Sequence, residues 1–172
     1  MPLDENLRIA CGEQAEWLRN AGVEARWVRP ENYHLTLAFL GRVEVERIAI
    51  VEDAVRAAVS QIEPFRLQLE AVGAFPNRRQ ARVIWIGAAA RVAQFDELAA
   101  TIRAALEAHG FSFPQPAEPH VTLARAGGCR FAATQPQKLP PLMIDEAVLY
   151  ESFTEAAGVR YAQLASFLLH TK

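Results

Sequence analysis

Thiols are scarce in this chain: Cys11 and Cys129 are the two cysteines among 172 residues, one in a helical pattern and one in a loop. That number builds no disulfide framework and fits a reducing cytosol. No run approaches the roughly 18 uninterrupted apolar residues of a membrane helix, and the N-terminus has no basic region followed by an apolar core. Charge of one sign is lacking too, since 18 Lys and Arg against 20 Asp and Glu leave a net charge of −2. With a pI of about 6.1, no broad basic face for long duplex nucleic acid is implied; such a substrate would be met at an end or a single phosphate. Ser60, Ser112, Ser152 and Ser166 lack a G-x-S-x-G context, and neither Cys neighbours a His, so a serine or cysteine nucleophile has no support. The expectation is a soluble, cytoplasmic protein, monomeric and without membrane attachment. At 51% apolar it can bury the core of one domain or two small lobes.

What the chain does have, it states twice. Tyr33-His34-Leu35-Thr36-Leu37-Ala38 is matched by Pro119-His120-Val121-Thr122-Leu123-Ala124. In an extended run, alternation puts each His and Thr on one face and the branched aliphatics on the other. If the runs pack side by side, two imidazoles and two hydroxyls converge on one small target. That set suits phosphoryl transfer: one imidazole takes a proton from water while the other gives one to the departing oxygen, and the Thr hydroxyls donate to non-bridging phosphate oxygens. A single His-X-Thr reads more simply as a strand His satisfied by a backbone carbonyl; the repetition tips the balance. Neither motif holds a carboxylate or third His that would complete a metal site, so no metal or other cofactor is expected.

Along the chain, residues 5 to 21 read as a helix capped by Asp4 and closed by Gly22, with Leu7, Cys11 and Leu18 on one face. An extended 25 to 28 and the first motif strand, running to Gly41, come next. A second helix spans 45 to 62, a strand 65 to 72, a turn 77 to 80 and a central strand 81 to 87. A third helix covers 92 to 108, and His109 reads as a cap at its C-terminus. A proline-held link leads into the second motif strand, a surface loop covers 127 to 142, and two strands close the chain at 144 to 153 and 159 to 169. The order strand, helix, Gly, link, His-strand occurs in the second half, and in the first half without its leading strand. The repeat therefore predicts a strand upstream of Met1.

His34-Leu35-Thr36-Leu37-Ala38-Phe39-Leu40-Gly41, preceded by Trp27-Val28-Arg29-Pro30-Glu31-Asn32, resembles the two-histidine phosphoesterase superfamily when taken with Pro119-His120-Val121-Thr122-Leu123-Ala124-Arg125. Within it, the chain is most similar to the RNA 2′,3′-cyclic phosphodiesterases, also called 2′-5′ RNA ligase or LigT-like proteins. The likeness extends over residues 82 to 87, 149 to 152, Gly158 and Tyr161. It implies an α+β fold, a single domain over residues 1–172 of two pseudo-symmetric, interleaved lobes, with mostly antiparallel sheets and outer helices flanking a cleft and one His-X-Thr motif per lobe. It also implies metal-independent hydrolysis of RNA 2′,3′-cyclic phosphate ends to 2′-phosphates. By the family pattern His34 is the proton donor to the leaving 3′ oxygen, His120 the proton acceptor that activates water, and Thr36 and Thr122 hold the phosphate. The pseudo-symmetry leaves the donor and acceptor labels exchangeable if the substrate turns around.

Arg125 matches a basic position after the second motif, where it would meet phosphate. Strict alternation opposes this, because an odd step from His120 points to the other face unless a bulge intervenes. Phe39 and Tyr161 are candidates for stacking on a base, although Phe39 shares the parity of Leu35 and Leu37, which favours core packing. Arg78, Arg79 and Arg82 could meet RNA phosphates, yet a charged hairpin turn is usually a solvated one. The runner-up functions keep the site: a 2′-5′ RNA ligase or phosphodiesterase, or a small cyclic-nucleotide phosphodiesterase. A non-catalytic RNA-end binder is less favoured, because binding alone does not need two titratable groups.

Overall fold

The computed structural model describes residues 1–132, 138–155 and 158–170. Helix α1 (Glu5–Asn20) starts where Asp4 accepts a hydrogen bond from the Leu7 N–H at 2.8 Å, and losing such a cap costs about 1 kcal/mol. Leu7, Cys11 and Leu18 are buried along one stripe, the spacing of successive helical turns. The helix ends at Gly22, which adopts φ +85° while its N–H and that of Val23 bond back to Arg19 and Leu18, an αL closure that glycine makes without a Cβ penalty.

After the short strand β1 (Arg26–Trp27) and the first motif, a 3-10 turn at Val45–Arg47 leads into α2 (Ile48–Val59), shorter than the expected 45 to 62. Val51, Val55 and Val59 of α2 are buried, as are Phe95, Leu98, Ile102 and Leu106 of α3 (Ala93–Glu107). The two helices pack together.

The expected strand over 65 to 72 is two strands, β2 (Phe65–Leu67) and β3 (Ala71–Phe75), and β4 (Ala81–Gly87) falls where the apolar run placed it. The turn between β3 and β4 is held by the Asn77 side-chain oxygen, which accepts from the N–H groups of Arg79 and Gln80. The second motif opens β5 (His120–Cys129). The expected loop over 127 to 142 therefore begins three residues late, after Cys129, and ends at β6 (Leu142–Ile144); its residues 133–137 lie outside the described residues. A long hairpin, β7 (Glu146–Glu155) and β8 (Gly158–Leu168), follows.

All the strand pairings are antiparallel, in one four-stranded sheet of order β1-β5-β4-β3 and two pairs, β2-β6 and β7-β8. The α+β architecture is the one expected. The first motif differs from expectation: ladder contacts occur only at His34, opposite Pro2, and at Leu35, opposite Val121. Beyond Thr36 the chain leaves the extended ladder instead of continuing as a strand to Gly41. Met1 and Leu35 exchange backbone hydrogen bonds of 2.8 and 3.0 Å, so residues 1–3 pair with the first motif much as Gly87 pairs with His120 in the second.

Candidate active site

The two motif runs meet directly. Leu35 pairs antiparallel with Val121, and both side chains are buried in the core, with Leu37 and Leu123. The alternating partners His34, Thr36, His120 and Thr122 are only half-buried, as the period of two requires. An antiparallel register through Leu35 and Val121 sets His34 across from Thr122 and Thr36 across from His120. Each imidazole is thus diagonal to the other and opposite the other motif's hydroxyl.

Both rings are anchored alike. His34 Nδ1 lies 2.8 Å from the carbonyl oxygen of Asn32, and His120 Nδ1 lies 2.9 Å from that of Glu118. A carbonyl only accepts, so each Nδ1 carries a proton and each Nε2 is left to exchange one with a bound molecule. Both pKa values lie below the ordinary 6.5. For His34 burial is the main cause, opposed by the Asn32 hydrogen bond and reinforced by the positive charges of the α-amino group, His120 and Arg125. For His120 burial again dominates, opposed by the bond to Glu118 and by that residue's charge. The imidazoles are therefore close enough for one charge to act on the other.

The aromatic neighbours differ between the halves. The Tyr161 ring meets His34 edge-on with centroids 4.7 Å apart, and Tyr150 stands at 6.3 Å. His120 instead has Phe75 edge-on at 5.1 Å and Trp85 at 6.2 Å. Tyr150, Phe75 and Trp85 escaped sequence reasoning, because the strand pairings that bring them in cannot be read from periodicity. Arg103 of α3 was missed as well: its guanidinium donates to the carbonyls of Leu37, just past the first motif, and of Gln115, just ahead of the second.

A cleft of about 750 Å³ is lined by His34, Thr36, Thr122, Arg125 and Tyr161; His120 flanks it, two residues ahead of Thr122 on the same strand face. Arg26, Arg29 and Arg42 also line it, against the single carboxylate of Glu151. In a chain of nearly balanced charge this concentrates positive potential where an anion would sit.

Arg125 reaches the cleft through a bulge. Ile84 pairs with Ala124 but Trp85 pairs with Thr122, leaving Leu123 as an extra residue on β5. The alternation resumes one residue out of phase, and Arg125, opposite Val83, returns to the face of His120 and Thr122. Phe39 departs from the expected core packing. It is 78% exposed and lines the cleft, because parity with Leu35 loses its meaning once the run leaves the ladder after Thr36. Among the described residues no group of three or more His, Cys, Asp or Glu side chains could hold a metal ion. Cys11 is buried, with its pKa pushed up to about 12 chiefly by that burial, which keeps the thiol protonated and inert. No helix among the described residues is long and apolar enough to cross a membrane.

Two imidazoles tethered in the same way, each facing a hydroxyl across one antiparallel junction, define the class: a two-histidine phosphoesterase. The family model of the LigT-like phosphoesterases matches residues 9–85. An RNA 2′,3′-cyclic phosphodiesterase of Methanothermobacter thermautotrophicus is 29% identical, over 97% of this chain and 95% of that protein. Among solved structures, TT0787 of Thermus thermophilus superposes with a TM-score of 0.83 at 28% identity, over 97% of this chain and 93% of that one. The apo form of E. coli LigT gives 0.83 at 26%, over 99% and 95%; the same protein complexed with 3′-AMP gives 0.79 at 26%, with the same coverage. The chain belongs to the LigT-like phosphoesterase family.

Proposed function

We propose that this protein opens the 2′,3′-cyclic phosphate at an RNA end to a 2′-phosphate by general acid-base catalysis on two histidines, without a metal. The observation that carries the reading is the pair of Nδ1-anchored imidazoles on either side of the Leu35–Val121 junction. Water attacks phosphorus as its proton passes to His120 Nε2. The bond from phosphorus to the 3′ oxygen breaks, and His34 Nε2 delivers its proton to that oxygen. The product carries a 2′-phosphate and a free 3′-hydroxyl, and exchange with solvent resets the two rings. Thr36 and Thr122 donate hydrogen bonds to the non-bridging oxygens, and Arg125 offsets the charge that builds on them. Phe39 and Tyr161 offer ring surface to the terminal base, with Tyr161 also holding the His34 ring edge-on.

The Methanothermobacter relative, an RNA 2′,3′-cyclic phosphodiesterase, supports this choice over the 2′-5′ ligase or cyclic-nucleotide alternatives, and a 3′-AMP complex of a structural neighbour agrees with a nucleotide-sized cleft. The test is turnover of a dinucleotide ending in a 2′,3′-cyclic phosphate, with chelator present throughout. Hydrolysis at an undiminished rate is expected; binding without turnover would make the protein an RNA-end binder, and loss of activity with chelator would put a metal in the reaction.

A further inference from the structure

A second, more open hollow of about 580 Å³ lies at the β3–β4 hairpin, lined by Gly73, Ala74, Asn77, Arg78, Arg79 and Trp85. No carboxylate lines it. Its position follows from the sheet register. Thr122 is directly opposite Trp85, and Trp85 is directly opposite Gly73. Residues directly opposite one another share a face, so Thr122, Trp85 and Gly73 form one row across three strands, leading from the cleft to the sheet edge.

The middle of that row is an aromatic platform. A Cβ at Gly73 would stand 2.2 Å from the Trp85 ring, so the missing side chain is what lets the indole lie against the strand. Trp85 is half-buried, and its ring forms part of both the wall around His120 and the lining of the outer hollow. At the far end of the row, the exposed Arg78 and Arg79 face the hollow, and Arg78 is fixed there by donating to the Val72 carbonyl at 3.0 Å. An indole for stacking beside two guanidiniums, with no opposing acid, is the composition that holds a single-stranded nucleotide.

Resting on the phosphodiesterase reading above, we propose that the β3–β4 hairpin is a second nucleotide subsite. It takes the residue preceding the cyclic-phosphate end, with the penultimate base across Trp85 and the internal phosphodiester at Arg78 and Arg79. The preferred substrate class is then the RNA oligonucleotide, and a cyclic mononucleotide leaves this subsite empty.

Arg79 tests this best, because among the described residues its guanidinium has no hydrogen bond or ion pair and its loss leaves the fold intact. The kcat/KM of wild type, Arg79→Ala and Arg79→Glu is measured on a 2′,3′-cyclic mononucleotide and on a dinucleotide with the same cyclic end, across a salt series. Arg79→Ala should lower dinucleotide turnover by about fivefold or more and flatten its salt dependence by roughly one phosphate contact. Arg79→Glu should lower it further, and both variants should keep wild-type turnover of the mononucleotide. Equal losses on both substrates, or no loss on either, would overturn the subsite while leaving the catalytic reading standing. A wild type that opens neither substrate would instead overturn the catalytic reading, and the subsite with it.

Discussion

Leu35 and Val121 form the antiparallel pair at which the two His-X-Thr motifs meet, and this contact places each histidine across from the other motif's threonine. With the Nδ1 anchors at Asn32 and Glu118, it leaves two Nε2 atoms free to serve one phosphodiester from opposite sides.

Replacing either imidazole should remove one proton transfer. His34→Ala and His120→Ala are each expected to lower kcat on a cyclic-phosphate dinucleotide by about 10²- to 10⁴-fold. The double variant should lose little more, because the two groups act as a unit. Steady-state kinetics on the three variants checks this, and a single variant turning over at the wild-type rate would remove that residue from the mechanism.

The pH profile carries a sign. In the proposed reaction His120 must be neutral to accept a proton and His34 charged to give one, so activity should fall in acid as His120 protonates and in base as His34 deprotonates. Both pKa values lie below 6.5 in the free protein, so the optimum of kcat/KM, which reports the free enzyme, should fall below pH 6.5. An optimum on the alkaline side of neutrality would contradict it. Because the Arg125 charge helps to depress His34, Arg125→Gln should move the basic limb to higher pH while lowering kcat/KM. A basic limb that stayed in place would leave Arg125 outside the reach of His34.

The threonines should show themselves in the transition state. Thr36→Val and Thr122→Val keep shape and remove a donor, and each should lower kcat by about 10²-fold, the effect of deleting one donor to a developing oxyanion. A rise in KM with kcat unchanged would reassign them to ground-state binding.

Gly87 faces His120 across the ladder, and a Cβ there would stand 2.7 Å from the Pro119 carbonyl oxygen and 3.2 Å from the His120 Cβ. The first contact is with backbone, which cannot swing aside. Gly87→Ala should therefore destabilise the fold by about 1–3 kcal/mol and cut activity, although no polar group is removed. Thermal melts and kinetics together check it; a variant with native stability and activity would show that the second motif tolerates displacement.

How much of this could be read from the chain depends on how local each feature is. Helix α1, with Asp4 at one end and Gly22 at the other, and strand β4, built on the apolar run Val83-Ile84-Trp85-Ile86, were legible because cap chemistry and apolar runs are written in adjacent residues. The faces of His34, Thr36, His120 and Thr122 followed from alternation alone. Arg125 did not: the extra residue at Leu123 shifts the phase of β5, and no sequence pattern marks a bulge of ordinary residues. Phe39 was misread for the converse reason, since alternation was carried past the point where the run leaves its partner. Strand β3, Ala71-Val72-Gly73-Ala74-Phe75, has too little side-chain contrast to show a period, so the Phe75 and Trp85 wall behind His120 became visible only in three dimensions.

Two imidazoles acting on one cyclic phosphate should break the bond to the 3′ oxygen and spare the bond to the 2′ oxygen. Hydrolysis of a cyclic-phosphate dinucleotide in ¹⁸O-labelled water, followed by ³¹P NMR, reads this directly. The labelled 2′-phosphate is the expected product, formed by the wild type and lost in the His34 and His120 variants. A labelled 3′-phosphate, or opening that persists without either histidine, would contradict it.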